Sequence, residues 1–240
     1  MGRKTNPIGF RLGTQFFSGA KWFAEKNYTL FLHEDIKLRK YLTTKLQKAG
    51  LDKIEIERSL KKIKVNLMVS KPGMVIGRSG AGIEELRKGL ERISNGKVQV
   101  SVVEVKLPDL SAELIAQDIA HQIERRLPAK RVALGAVEKI MTSGAKGAKV
   151  IIKGRLGGAE MARAEKVTQG SVPLTTLNAE VDFAQGIAMT KFGTIGVKVW
   201  INKGFRSVNK RVNARNAKQN AKNSAVKESG LSEEVAHATA

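Results

Sequence analysis

The sequence predicts an α+β fold in two modules, with a basic N-terminal arm before them and a flexible basic C-terminal tail after them. Three observations carry this reading. Between residues 34 and 126, helical and alternating apolar periods follow in the order helix–strand–strand–helix–strand–helix. Pro128 then breaks the last helix, and a second run of helix and alternating strands extends to about residue 204. Beyond Gly204 the apolar period vanishes while cations continue. The expected boundaries are 1–28 for the arm, 29–127 and 128–204 for the modules, and 205–240 for the tail.

Each element has a local cause. Residues 1–28 carry Gly9, Gly13 and Gly19 and no sustained period, which reads as an extended arm. Leu38, Leu42, Leu46 and Ala49 make one helical stripe over 34–49, and Gly50 ends it. Ile54 and Ile56 share one strand face, and Ile63, Val65, Leu67 and Val69 share another, with "SLKK" as the turn between them. After "SKPG" and a glycine cluster, Ile83, Leu86, Leu90 and Ile93 recur at helical spacing until "NG". "KVQVSVVEV" is a strand. Pro108 and Ser111 then open a helix with Ile115, Ile119 and Ile123 on one stripe, Glu113 in its first turn and Arg125 and Arg126 in its last, as the macrodipole favours. The second module reads as a helix over about 131–142, a strand over 148–154, "GRLGGAE" and a short helix. Two strands with one solvated face follow. In the first, Leu177, Ala179, Val181 and Phe183 alternate with Asn178, Glu180 and Asp182; in the second, Ile195, Val197, Val199 and Ile201 alternate with Gly196, Lys198 and Trp200.

Charge narrows the function. The 240 residues hold 43 Lys and Arg against 22 Asp and Glu, a formal +21, which points to a polyanion. No apolar run approaches the roughly 20 residues of a membrane span, and no long basic amphipathic helix carries aromatic anchors. "MGRKTNPIGFRLG" lacks a signal segment, and Asn6 stands where myristoylation wants Ser or Thr. The expected location is the cytoplasm, with no membrane partner. With no cysteine, disulfides, thiolate metal sites and cysteine nucleophiles are excluded. His33, His121 and His237 lack metal-ligand spacing. A metal nuclease needs clustered acids, and Glu180 with Asp182 is a thin candidate. A lysine nucleophile has no sequence signature. No catalytic residue, metal, cofactor or small-molecule substrate is assigned.

The glycine cluster "MVIGRSGAGIEELRKGL" spans residues 74–90. A nucleotide loop would need a lysine after the glycines or a G-x-G-x-x-G order, and neither is present. A plain helix-entrance turn is the bland reading. Ile76-Gly77-Arg78-Ser79-Gly80-Ala81-Gly82-Ile83 instead fits I-G-x-x-G-x-x-I, the core of a KH domain. Two glycines let backbone approach a sugar-phosphate chain, the following helix offers amides, and Arg78 adds charge at the tip. The order of flanking elements is that of a type II (prokaryotic) KH domain.

"NPIGFRLG", "KPGMVIGRSGAGIEELR", "GRLGGAEMAR" and "GVKVWINKG" occur in that order over residues 1–204. On these motifs the chain resembles the family of small ribosomal subunit protein three, bacterial KH-domain proteins of the subunit head. The resemblance implies a non-enzymatic, ribosome-bound protein whose partners are small-subunit rRNA, mRNA and the neighbouring proteins of the head and the mRNA entrance. It implies that basic residues after the KH domain, here Lys130 and Arg131, line that entrance and help unwind structured mRNA. Pro128 and Ala129 replace bulky family residues, and Leu134 replaces a frequent third cation. The expected RNA-binding residues are Gly77, Arg78, Ser79 and Gly80 in the loop, Lys130 and Arg131, and Arg155, Arg163 and Lys166 around "GRLGGAEMARAEK". Trp200 is open to two readings, stacking on a base or packing between domains. The alternative within RNA-binding proteins is a free KH factor in ribosome assembly or RNA decay. The tail carries Arg206, Lys210, Arg211, Arg215, Lys218, Lys222 and Lys227 with no acid among them.

Overall fold

The computed structural model describes residues 4–13, 19–59, 62–94 and 96–205. The tail expected at 205–240 lies outside them save Phe205. The first half comprises α1 (Pro7–Phe10), β1 (Ala20–Lys21), α2 (Tyr28–Leu46), β2 (Leu51–Arg58), β3 (Lys62–Val69), α3 (Pro72–Ile76), α4 (Ala81–Ile93) and β4 (Lys97–Glu104). Its strands pair in the order β1-β2-β3-β4. β2 and β3 are antiparallel, closed by reciprocal backbone bonds between Ser59 and Lys62. β4 runs parallel to β3, with Ile63 opposite Val98 and Val65 opposite Val100. Leu38 and Leu42 of α2 and Leu90 of α4 pack on Ile56, Val65 and Leu67 of this sheet. Gly50 takes the left-handed conformation (φ 68°) that ends the last turn after α2.

α2 starts at Tyr28, six residues before the expected start at 34. Phe31 packs edge-on against Trp22 at 5.9 Å, and the Arg58 guanidinium lies 5.0 Å from the Phe31 ring centre. Arg58 also pairs with Glu34 at 2.7 Å and with Asp35. A strand residue thus pins the helix's first turns, which a periodicity reading does not see.

The second half comprises α5 (Ala112–Glu124), α6 (Ala129–Thr142), β5 (Gly147–Gly154), β6 (Arg163–Gly170), β7 (Ala179–Thr190) and β8 (Gly193–Phe205). The sheet order is β6-β5-β8-β7, and β5 is antiparallel to both neighbours. Ile119 of α5 and Ile140 of α6 join Val150, Ile152, Val199 and Ile201 in one core. The stripe of α5 therefore packs into the second core, not the first. Its start is held by both: Ser111 caps it and hydrogen-bonds Asp52, and Gln117 reaches the Leu51 carbonyl at 3.2 Å.

Three expectations are corrected. The arm is not simply extended: Asn6 caps the helical turn α1, and Ala20–Lys21 adds a parallel strand beside β2. The short helix after "GRLGGAE" is instead β6. It covers the outer edge of β5, and Val167 packs on the core, so hydrogen bonding of an edge outweighs a segment with almost no apolar period. The polar side of β7 is not solvated: Asp182 is 4% exposed, accepts from Ala112 N at 3.4 Å and pairs with Lys203 at 3.1 Å. Ala184 and Ala188 face the main core, where a Cβ added at the intervening Gly186 would stand 2.8 Å from the Ala116 carbonyl oxygen. Small side chains let α5 approach, and the bulkier Val181 and Phe183 pack with Trp200 on the other face.

Candidate nucleic-acid interface

The glycine loop joins α3 to α4. Gly77 has φ 69° and ψ −176°, a region open in practice to glycine alone. Ser79 and Gly80 are left-handed at φ 53° and 80°. This sequence of turns lifts Arg78 and Ser79 into solvent. A Cβ at Gly82 would stand 2.5 Å from the Val75 carbonyl oxygen, so the third glycine lets α4 begin directly against α3. No side chain caps α4, which leaves its first amides open to an acceptor, although Glu84 in the first turn tempers the positive end. Of the four loop positions expected from sequence, Gly77, Arg78 and Ser79 are exposed and Gly80 is half-buried.

Lys130 and Arg131 lie in the first turn of α6. Pro128 supplies the N-cap position without a side-chain bond, and no acid lies in that turn. Both cations are exposed, and neither has an ion pair among the described residues. Leu134, one turn on, is 44% exposed. Arg155 approaches from the "GRLGG" segment: it lines, with Pro128 and Ala129, a cavity of about 440 Å³ beneath the α5–α6 corner. Its guanidinium donates to the Ala159 carbonyl at 2.9 Å and to the Phe192 carbonyl at 3.3 Å, which fixes the segment against the β7–β8 turn. Gly157 and Gly158 supply the positive φ values of that turn.

Arg163 and Lys166 both lie on β6 but not on one face. Arg163 pairs in register with Gly154 and Lys166 with Ile151, so the two side chains leave opposite faces of β6. Arg163 shares the face that packs α6, and Lys166 shares the helix-free face. Trp200 packs within the chain. It is 7% exposed, lies 5.1 Å from Phe183, and carries the Lys149 ammonium 5.2 Å from its ring centre. Lys149 escaped sequence reasoning, although its alternation with Ile151 and Lys153 at two-residue steps carried the signal. No described helix is long and apolar enough to cross a membrane.

The sequence matches the family model for the KH domain over residues 37–110 and that for the ribosomal protein S3 C-terminal domain over residues 119–201. It is 49% identical over 204 residues to small ribosomal subunit protein uS3 of Natranaerobius thermophilus, covering 85% of this chain and 89% of that protein. Identity to the uS3 proteins of Latilactobacillus sakei and Rhodospirillum centenum is 48%, over 85% of this chain and 93% and 91% of theirs. Both modules and the exposed glycine loop agree with those matches: the chain belongs to the uS3 family of small ribosomal subunit proteins.

Proposed function

We propose that the chain is a non-enzymatic constituent of the small-subunit head that binds rRNA and lines the mRNA entrance, where it helps to unwind structured mRNA. Its neighbours there are other small-subunit proteins, and its location is cytoplasmic and ribosome-bound. The observation that carries the entrance reading is the pair Lys130 and Arg131, exposed, free of acidic partners among the described residues, at an uncapped helix start. A helix N-terminus favours anions, and two mobile cations beside it grip phosphate without reading a base. Arg155 stiffens the adjoining segment. The loop Gly77–Gly80 supports a second contact, to a single-stranded stretch of RNA.

The chain contains no cysteine, so one introduced thiol is unique. A photoactivated crosslinker on Lys130→Cys, in small subunits programmed with mRNA, tests the reading. Crosslinks to mRNA downstream of the decoding region support it, and their absence from fully assembled subunits counts against it. The free KH factor predicts instead that the endogenous protein is substoichiometric in purified small subunits.

A further inference from the structure

The helix-free face of the second sheet gathers lysines. On β5, Lys149, Ile151 and Lys153 point to the same side. Register aligns Ile151 with Lys166 of β6 and with Lys198 of β8, so the two lysines flank it in one row across three strands. Lys149 stands in the next row, between Thr168 and Trp200, and Lys153 in the row on the other side. With strands about 4.8 Å apart and about 3.3 Å per residue, the four lysines occupy a patch of roughly 10 by 13 Å.

In the row beside the central Ile151, Lys149 is 8% exposed, its ammonium held 5.2 Å from the Trp200 ring centre. The docked arm brings Lys4 against it. Burial, then the charges of Lys4 and Lys166, push the Lys149 ammonium below its usual range. None of Lys4, Lys149, Lys153, Lys166 and Lys198 has a carboxylate partner among the described residues. A buried lysine is ordinarily paired, and like charges held together cost stability unless an anion joins them.

We propose that Lys149, Lys153, Lys166 and Lys198, with Lys4 of the arm, form a docking surface for the rRNA backbone on the helix-free face of the second sheet. The surface lies across the sheet from α6 and is separate from the entrance. Ammonium groups are point charges that impose no bidentate geometry, which suits phosphates met in succession along a strand. Spread over three strands without a groove, they position RNA rather than read its bases. The chain's membership in a ribosomal family favours RNA over an acidic protein segment.

Lys166 and Lys198 are exposed, so Lys166→Gln with Lys198→Gln should spare the fold. In titrations of the full chain with small-subunit rRNA, the slope of log K against log salt should fall by about 1.4 to 1.8 for two lost phosphate contacts. Lys149→Met, which keeps an unbranched side chain of similar length beside Trp200, should lower it further; if that variant does not fold, the double variant alone decides. An unchanged slope in a folded double variant overturns the proposal. A crosslinker on Thr168→Cys, beside Lys149, should reach rRNA in small subunits free of mRNA. Crosslinks to protein alone overturn the proposal and indicate an acidic protein neighbour. The Lys130→Cys crosslink to mRNA is read independently, so either reading can fail without the other.

Discussion

The Arg11 guanidinium donates from Nε to the Ala179 carbonyl at 2.8 Å, across 168 positions of chain. Its other nitrogens reach the carbonyls of Pro7, Pro173, Leu174 and Thr176 at 2.8 to 3.2 Å. The side chain is fully buried, and burial lowers its pKa. One residue of the arm thus satisfies the segment leading into β7.

Arg11→Ala should leave several buried carbonyls without a donor and destabilise the chain by about 3 to 5 kcal/mol. Arg11→Lys should recover little, because one ammonium cannot reach carbonyls spread around a planar fork. Urea denaturation of the full chain measures both. A loss under about 1 kcal/mol for Arg11→Ala would mean that water replaces the guanidinium at no cost.

The glycine loop separates folding from binding by position. Gly77→Asp should destabilise the first module, because its backbone conformation excludes side chains and a Cβ would stand 3.1 Å from the Gly82 amide. Arg78→Asp with Ser79→Asp should fold: Arg78 is exposed, and Asp tolerates the left-handed conformation of Ser79. Two carboxylates at the tip should then weaken RNA binding at least tenfold near 0.1 M salt. Thermal unfolding and RNA titration on the same samples check this, and full affinity in the folded double variant would reduce the loop to a turn.

Large apolar residues at regular spacing made most of the fold legible. The stripes of α2, α4 and α5 were visible because Leu and Ile mark the buried side. β7 misled because its core positions hold Asp182, Ala184, Gly186 and Ala188, chosen for a close helix contact rather than for hydrophobicity. β6 had a single strong apolar residue, Val167, and is held by edge hydrogen bonds. The arm docks through one arginine, and no local pattern announces a partner more than 160 residues away. In the candidate site, Gly77–Gly80 and Lys130–Arg131 were legible as motifs. The row of Lys166 and Lys198 was not, because it exists only once the strands are in register.

Glu113 makes stability depend on acid. Burial first, then the charges of Asp52 and Asp182, raise its pKa, and the Gln117 amide offsets this in part. A raised folded pKa contributes stability that is full below the unfolded value of about 4.5 and is lost as pH rises through the folded value. At pH 7 the carboxylate therefore costs stability. Glu113→Gln, whose amide oxygen still accepts from Gln117, should stabilise the chain at pH 7 and lose that advantage below pH 4.5. Denaturation at both pH values decides, and an advantage that grows on acidification would refute the assignment.

The seven cations from Arg206 to Lys227 lie outside the described residues. Deleting 206–240 should flatten the salt dependence of RNA binding and leave preference among RNA sequences unchanged, since phosphate contacts carry affinity rather than specificity. A preserved slope would place that segment off the RNA.

The proposed role at the mRNA entrance gives the sharpest functional expectation. Lys130 and Arg131 project from the first turn of α6, where the helix end already favours an anion. A strand that moves past needs contacts weak enough to be renewed at each step, which two exposed cations supply. Replacing both by alanine should slow translation through a hairpin and spare an unstructured template, because only the hairpin requires a held strand while its pairs open. Leu134 is exposed one turn further along the same helix and contributes no charge. Leu134→Lys should therefore speed passage through hairpins at little structural cost. Translation rates on matched templates with and without a downstream hairpin measure both variants. Equal slowing of the double alanine variant on both templates would assign Lys130 and Arg131 to assembly of the subunit rather than to the passage of mRNA.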